Sequence, residues 1–331
     1  MNSFGRLFRV NIFGESHGES VGVNIDGCPA GIPLPVGDFL PDLERRKGGM
    51  QKGTTPRKED DLPIFKSGLF NETSTGAPIT ILFENNNTRS GDYEKQRAVP
   101  RPGHADFVAH RKFGGFEDYR GGGSFSARLT VGLVAAGVIA KKILGTATVS
   151  SSILEIGGEP DLDKGLQKAI EAKDSIGGIV ECRVSGLPIG LGEPFWDSVE
   201  SLLSHAAFAI PAVRGVEFGT GFAAARMFGS QHNDAIENME GHTRTNHAGG
   251  VVGGITNGNE LVYRIAIKPT SSTPKEQQTL NWETGGQETF SVKGRHDLCV
   301  ALRAPVILEA MTAIVLADLL LLEQGAGRVW S

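Results

Sequence analysis

Residues 131–144, VGLVAAGVIAKKIL, are apolar on nearly every side of a helix. A helix without a polar face must be buried. A second such stretch opens at Pro305, a residue suited to a first helical position, and runs to about residue 322. Their entries echo each other: Arg128-x-x-Val131-x-Leu133-x-Ala135 against Arg303-x-x-Val306-x-Leu308-x-Ala310. Residues 17–25 loosely echo 247–255, in the same order but with different spacing. The chain therefore reads as carrying a duplicated supersecondary unit, with approximate halves 1–145 and 146–331. Chance similarity among glycine- and alanine-rich segments is the alternative. Two core helices entered from basic loops would set both loops near one end of a helical core.

The first entry is dense in chemistry. Residues 101–130 read RPGHADFVAHRKFGGFEDYRGGGSFSARLT. Gly121, Gly122 and Gly123 permit positive φ and close backbone approach to a ligand. Ser124, Ser126 and Arg128 can donate to an anion, and a helix starting there adds unpaired N–H groups. A plain glycine turn with a capping serine explains the same residues without a ligand. On a helix over this stretch, His104, Phe107, Val108 and Arg111 share one face, and His110 falls on another as a surface residue.

Composition narrows the partners. A net charge of -5 argues against nucleic acid or an anionic membrane as the main partner, so any anion site is local. No signal peptide and no membrane span are expected, because the N-terminus lacks a charged-then-apolar leader and no long apolar run is free of charge. Cys28, Cys182 and Cys299 are isolated, which suits reduced thiols in the cytoplasm. His232, His242 and His247 lack metal-ligand spacing.

Other segments add candidates. Residues 5–13 alternate like a strand and deliver Ser16 and His17 in a small turn. Residues 38–47 suit a short helix whose last-turn cations, Arg45, Arg46 and Lys47, complement the helix dipole. Residues 50–61 read as a mobile surface loop, a candidate lid. Residues 268–272, KPTSS, form a turn, and Asp297 beside Arg295 should stay ionised. There is no Walker loop, dinucleotide fingerprint, zincin helix or nucleophile elbow. What remains suits proton transfer on a substrate and cofactor that carry phosphates and carboxylates.

Six motifs together resemble the chorismate synthase family: GESHG (14–18), RPGHAD (101–106), RGGGxxSARxT (120–130), NHAGG (246–250), KPTSS (268–272) and GRHD (294–297). They occur in family order, from about residue 5 to 320. The resemblance implies an α+β fold: a β-α-β sandwich, with long central helices between antiparallel sheets, built as a pseudo-duplicated single domain over 1–331. It implies a homotetramer and a 1,4-anti elimination of phosphate and a ring proton from 5-enolpyruvylshikimate 3-phosphate. It also implies reduced FMN, with no net redox change and NADPH at most as an external reductant. By motif, His17 resembles the acid for departing phosphate and His104 the histidine beside the flavin. Asp297, with Ser16 and Ser126, resembles a proton relay. Arg46, Lys52, Arg128 and Arg295 fall at anion-binding positions. Ser124, Phe125, Ser126, Pro211, Ala212, Gly253, Lys268, Pro269, Thr270, Ser271, Ser272 and Arg295 resemble the flavin site. Ser124, Phe125 and Lys52 depart from commoner family residues; a lysine keeps charge but loses the bidentate fork. The competing class is a flavin-dependent oxidoreductase on a phosphorylated metabolite, which would carry a nucleotide fingerprint.

Overall fold

The computed structural model describes residues 2–49, 52–55, 59–86, 97–292 and 296–325. Strands β1 (Ser3–Phe4), β2 (Arg9–Gly14) and β3 (Ser20–Asp26) are followed by helix α1 (Leu40–Arg46). Then come β4 (Ile64–Ser67), β5 (Leu69–Phe70), β6 (Thr73–Ser74) and β7 (Ile79–Glu84). Helices α2 (Asp106–Phe113) and α3 (Thr130–Ile143) close the first half. The second half runs β8 (Thr148–Ile156), α4 (Leu162–Ala172), β9 (Gly178–Ser185), α5 (Val199–Ala209) and β10 (Val213–Phe218). It continues with α6 (Gly229–His232), β11 (Val251–Val252), β12 (Ile255–Thr256) and β13 (Leu261–Ile267). A hairpin of β14 (Gln277–Leu280) and β15 (Gln287–Phe290) precedes α7 (Ala304–Gly325).

Two antiparallel sheets result, β1-β2-β3-β7-β4 and β10-β13-β9-β8. The long helices lie between them: α3 packs on the first sheet, α7 on the second, and the two pack on each other. This is the β-α-β sandwich expected of the sequence. Burial of α3 from Thr130 through Ala140 follows from its missing polar face. Two helix glycines allow the close approach. A Cβ on Gly132 would sit 3.1 Å from Val23 Cβ, and one on Gly137 only 2.4 Å from Ala310 Cβ. Glycine costs a helix interior about 1 kcal/mol, and here it lets α3 meet sheet and helix together.

Helix α7 and its entry, Val300–Gly325, are long and apolar enough to cross a membrane, but 78% of the most apolar window is buried inside the protein. Its two buried acids are both partnered. Glu309 accepts from Arg45 Nη1 and Nη2 at 2.8 and 2.7 Å, Lys141 Nζ at 3.0 Å and Ser151 Oγ at 3.0 Å. Asp318 accepts from the backbone N–H groups of Arg6, Leu7 and Phe8 at 2.7–3.0 Å. The cysteines are buried free thiols, and burial pushes Cys182 up to about 12.

Candidate active site

The strand β2 ends at Gly14, whose φ of +101° turns the chain into the Ser16–His17 segment. That turn is tied to the glycine loop. Ser16 N donates to Gly123 O at 3.2 Å, and Ser16 Oγ to Arg120 O at 3.2 Å. Ser16 Oγ also lies 3.2 Å from His17 Nδ1, and both residues are buried. Gly121, Gly122 and Gly123 all have positive φ. A Cβ at 121 would meet His17 Cε1 at 2.2 Å; one at 122 would meet His104 Cε1 at 3.3 Å. The two histidines therefore abut consecutive glycines of one loop. Gly121→Ala should cost about 100-fold in kcat, because misplacing a working group by about 1 Å has that effect. Steady-state turnover checks this, with urea unfolding as the control for folding. Activity within about threefold of wild type would show that the geometry around His17 is not critical.

His104 is not on the helix. The helix α2 begins at Asp106, because Gly103 (φ +70°) breaks helical geometry before it. Nor is His110 a bare surface residue. It contacts Glu117 Oε1 at 3.1 Å and stacks on Trp282 with ring centroids 4.5 Å apart. A cavity beside them is lined by His104, Tyr119, Gly122, Phe125 and Trp282.

Beneath the glycine loop lies a buried charge cluster. Asp61, in the left-handed region at φ +50°, accepts from Arg46 Nη2 at 2.8 Å and also from Arg128 Nη1. Burial opposes its ionisation, yet the two guanidiniums hold it below the usual carboxylate range. Burial pushes Arg46 down to about 10, with Arg303 and Arg128 adding repulsion against the pull of Asp61. Arg46 thus stays charged at neutral pH. Its cation does more than complement the helix dipole: the residue is only 3% exposed, and its Nε finds no acceptor among the described residues. The end of the expected surface loop is likewise core, since the Asp61 side chain is fully buried.

The cluster extends in two directions. Arg128 Nε donates to Asn85 Oδ1 at 2.9 Å, and Asn85 Nδ2 donates to the carbonyls of Glu15 and Gly18, which bracket His17. Arg303 Nε donates to Arg46 O at 2.8 Å, while its Nη1 donates to Asp297 Oδ2 at 3.1 Å. Asp297 Oδ1 accepts from Thr55 N at 2.7 Å. One hydrogen-bonded network therefore joins the His17 turn, Arg128, Arg46 and Asp297. Among the described residues no hydrogen bond links Asp297 to Ser16 or Ser126. Ser126 instead caps the turn at Ala127–Leu129, accepting from Arg128 N at 3.2 Å. Burial, with repulsion from Arg101, holds His296 below the ordinary histidine range.

The remaining candidates divide. Ser271 Oγ donates to Gly103 O at 2.8 Å, and Lys268 Nζ reaches Gly103 O at 3.3 Å. Ser272 Oγ accepts from Arg101 Nη1 at 3.4 Å, so the turn of Lys268, Pro269, Thr270, Ser271 and Ser272 docks on the His104 loop. Ala212 (φ +74°) accepts from Lys268 N at 2.9 Å, which sets Pro211 and Ala212 beside that turn. Ser124 is exposed, and Phe125 tilts against Phe113. Lys52 is exposed on the strip that ends at Thr55. Gly253 sits in the β11–β12 hairpin with no atom within 4 Å of its Cβ position, and no described contact joins it to these loops. Arg295 lies outside the described residues. Asp61, Arg101, Asp106 and Arg303 were not singled out from the sequence as site residues. Arg101 and Asp106 stood within RPGHAD, and Arg303 stood in the segment that echoes Arg128; Asp61 had no such signal.

A sandwich whose basic loops bring two histidines against one glycine loop, beside a cavity, suits an enzyme for small, multiply anionic substrates. A sequence profile of the chorismate synthase family matches residues 8–321. A chorismate synthase of Chitinophaga pinensis is 72% identical over 100% of this chain and 99% of its own length. One from Synechocystis is 44% identical over 97% of each. A crystal structure of a chorismate synthase superposes with a TM-score of 0.75 at 27% identity, covering 97% of this chain and 94% of that one. The chain belongs to the chorismate synthase family, and its activity is that family's carbon–oxygen lyase reaction.

Proposed function

We propose that the chain eliminates phosphate and a ring proton, 1,4-anti, from 5-enolpyruvylshikimate 3-phosphate to give chorismate. One observation carries the reading: His17 and His104 abut Gly121 and Gly122, and the His17 turn is hydrogen-bonded through Asn85 to the buried cluster of Arg128, Asp61 and Arg46. The reaction breaks one C–O and one C–H bond and forms one C=C bond. One proton must therefore leave the ring, and phosphate departs more readily if it gains one. His17 is the group we assign to protonating the phosphate. Arg46 and Arg128, with Lys52 and Arg295, bind the anionic groups. Each charge-assisted contact contributes about 1.5–3 kcal/mol, and among the described residues the buried Nε of Arg46 has no acceptor of its own. Asp297, with Ser16 and Ser126, is the group we assign to passing on the ring proton, and His104 is the histidine we assign to managing the protonation of a bound flavin. The oxidoreductase alternative is not favoured by the family relationship.

Reduced FMN fits the donor set beside the cavity: Lys268, Ser271 and Arg101 for a phosphate, and Phe125 and Trp282 as flat walls. When bound, it supplies electron density that helps phosphate depart, with no net redox change. Ser124, Ser126, Pro211 and Ala212 would complete its contacts, and Lys268 would trade its long carbonyl contacts for the anion. Gly253 is assigned to the same site by motif alone. Reducing equivalents come from outside, with NADPH as one source. We read the chain as one cytoplasmic domain built of two similar sheet–helix halves and assembled as a homotetramer. Because α3 and α7 are buried within one protomer, support for assembly comes instead from outward aromatics such as Trp196, 90% exposed. The test is anaerobic incubation with dithionite-reduced FMN and the enolpyruvyl substrate. Stoichiometric phosphate and chorismate are expected; no phosphate release would end the proposal.

A further inference from the structure

We propose that Asp106 is a positioning residue that fixes His104 as the Nδ1–H form and leaves Nε2 as the atom that exchanges protons. For its place in turnover this rests on the function proposed above; the assignment of the proton does not.

His104 Nδ1 has two neighbours, Arg101 Nη2 at 3.2 Å and Asp106 Oδ1 at 2.5 Å. They make opposite demands. A guanidinium only donates, so it would call for a lone pair on Nδ1; a carboxylate only accepts, so it would call for a hydrogen there. The carboxylate contact is much the shorter. Two lone pairs at 2.5 Å would repel, whereas N–H···O⁻ at that distance is a strong, charge-assisted hydrogen bond. Nδ1 therefore carries the proton.

Asp106 is itself held rigidly. Arg101 Nε donates to Oδ2 at 2.8 Å, Arg101 Nη2 to Oδ1 at 2.8 Å, and the Arg101 backbone N to Oδ2 at 3.0 Å. Burial works against its ionisation, but Arg101 and His104 outweigh it and keep the carboxyl well below the usual range. Arg101 is 8% exposed, so the guanidinium side of the fork is shielded from water. The other face of the imidazole looks at Gly122, where a Cβ would lie 3.3 Å from Cε1 and 3.5 Å from Nε2. With a glycine there, Nε2 stays open on the cavity side. A carboxylate behind, an imidazole between and an open nitrogen in front is the arrangement by which an acid selects a histidine tautomer.

The test has two arms, both on the full chain. The first is nitrogen-15 NMR of protein labelled at histidine, with the His104 signals assigned by their absence in His104→Ala. Wild type should show protonated Nδ1 and unprotonated Nε2, and Asp106→Asn should shift that pattern. Nε2–H in wild type, or an unchanged pattern in Asp106→Asn, would overturn the proposal. The second arm is kinetic. Asp106→Asn should lower kcat by about 10-fold or more, the lower end of the range seen when a carboxylate that orients a histidine is lost. Asp106→Glu should recover part of the loss. In the His104→Ala background Asp106→Asn should add less than about twofold, since residues acting as one unit are not additive. Independent, multiplying effects would overturn it even with the fold intact by thermal melting. Should wild type release no phosphate, the proposed activity fails, and the NMR arm still decides the role of Asp106.

Discussion

His17→Ala and His104→Ala each lower kcat by about 10²- to 10⁴-fold, the range for removing a positioned acid or base, while FMN still binds. Both side chains abut the glycine loop, and neither anchors a helix or fills the core between the sheets. Their removal therefore leaves in place the fold and the turn at 268–272 that we propose holds the flavin. Stopped-flow phosphate release and flavin titration measure the two quantities separately. If both variants lost FMN while turnover per bound flavin stayed at the wild-type value, the proton-transfer roles would be wrong.

Asp61→Ala should destabilise the protein by about 3–5 kcal/mol, the cost of leaving buried charge without its counter-ion. The carboxylate lies between Arg46 and Arg128, with Arg303 close enough to add to the repulsion. Removing it leaves cations facing one another in a dry environment. Urea unfolding gives the number, and a loss below about 1 kcal/mol would mean that water screens the cluster. The pH dependence has a definite sign. The folded-state value of Asp61 lies below its unfolded value, so its contribution is present above the ordinary carboxylate range. It is lost as pH falls through the depressed folded value. Asp61→Ala should flatten that acid limb.

The parts of the molecule that were legible in the sequence were those set by local pattern. Helices α3 and α7 announced themselves because an all-round apolar surface has one solution, and the glycine loop because only glycine tolerates such turns. The partners of the charges were not legible. Arg128 meets Asp61 across 67 positions and Arg46 meets it across 15, with no periodicity to connect them. Residues 50–61 looked like solvated loop since they are polar, and polarity alone does not reveal that one acid folds inward to two arginines. The face assigned to His104 failed for a local reason. The positive φ of Gly103 breaks helical geometry there, and α2 starts only at Asp106.

The carboxylate of Asp318 has a consequence for how the chain reaches its final state. It captures the backbone of residues 6–8 from more than three hundred positions away. During synthesis the opening strands leave the ribosome long before their anchor exists. Contacts between such distant segments are slow to form, because the intervening loop must close first. The N-terminal edge should thus be the last region to gain protection from amide exchange during refolding.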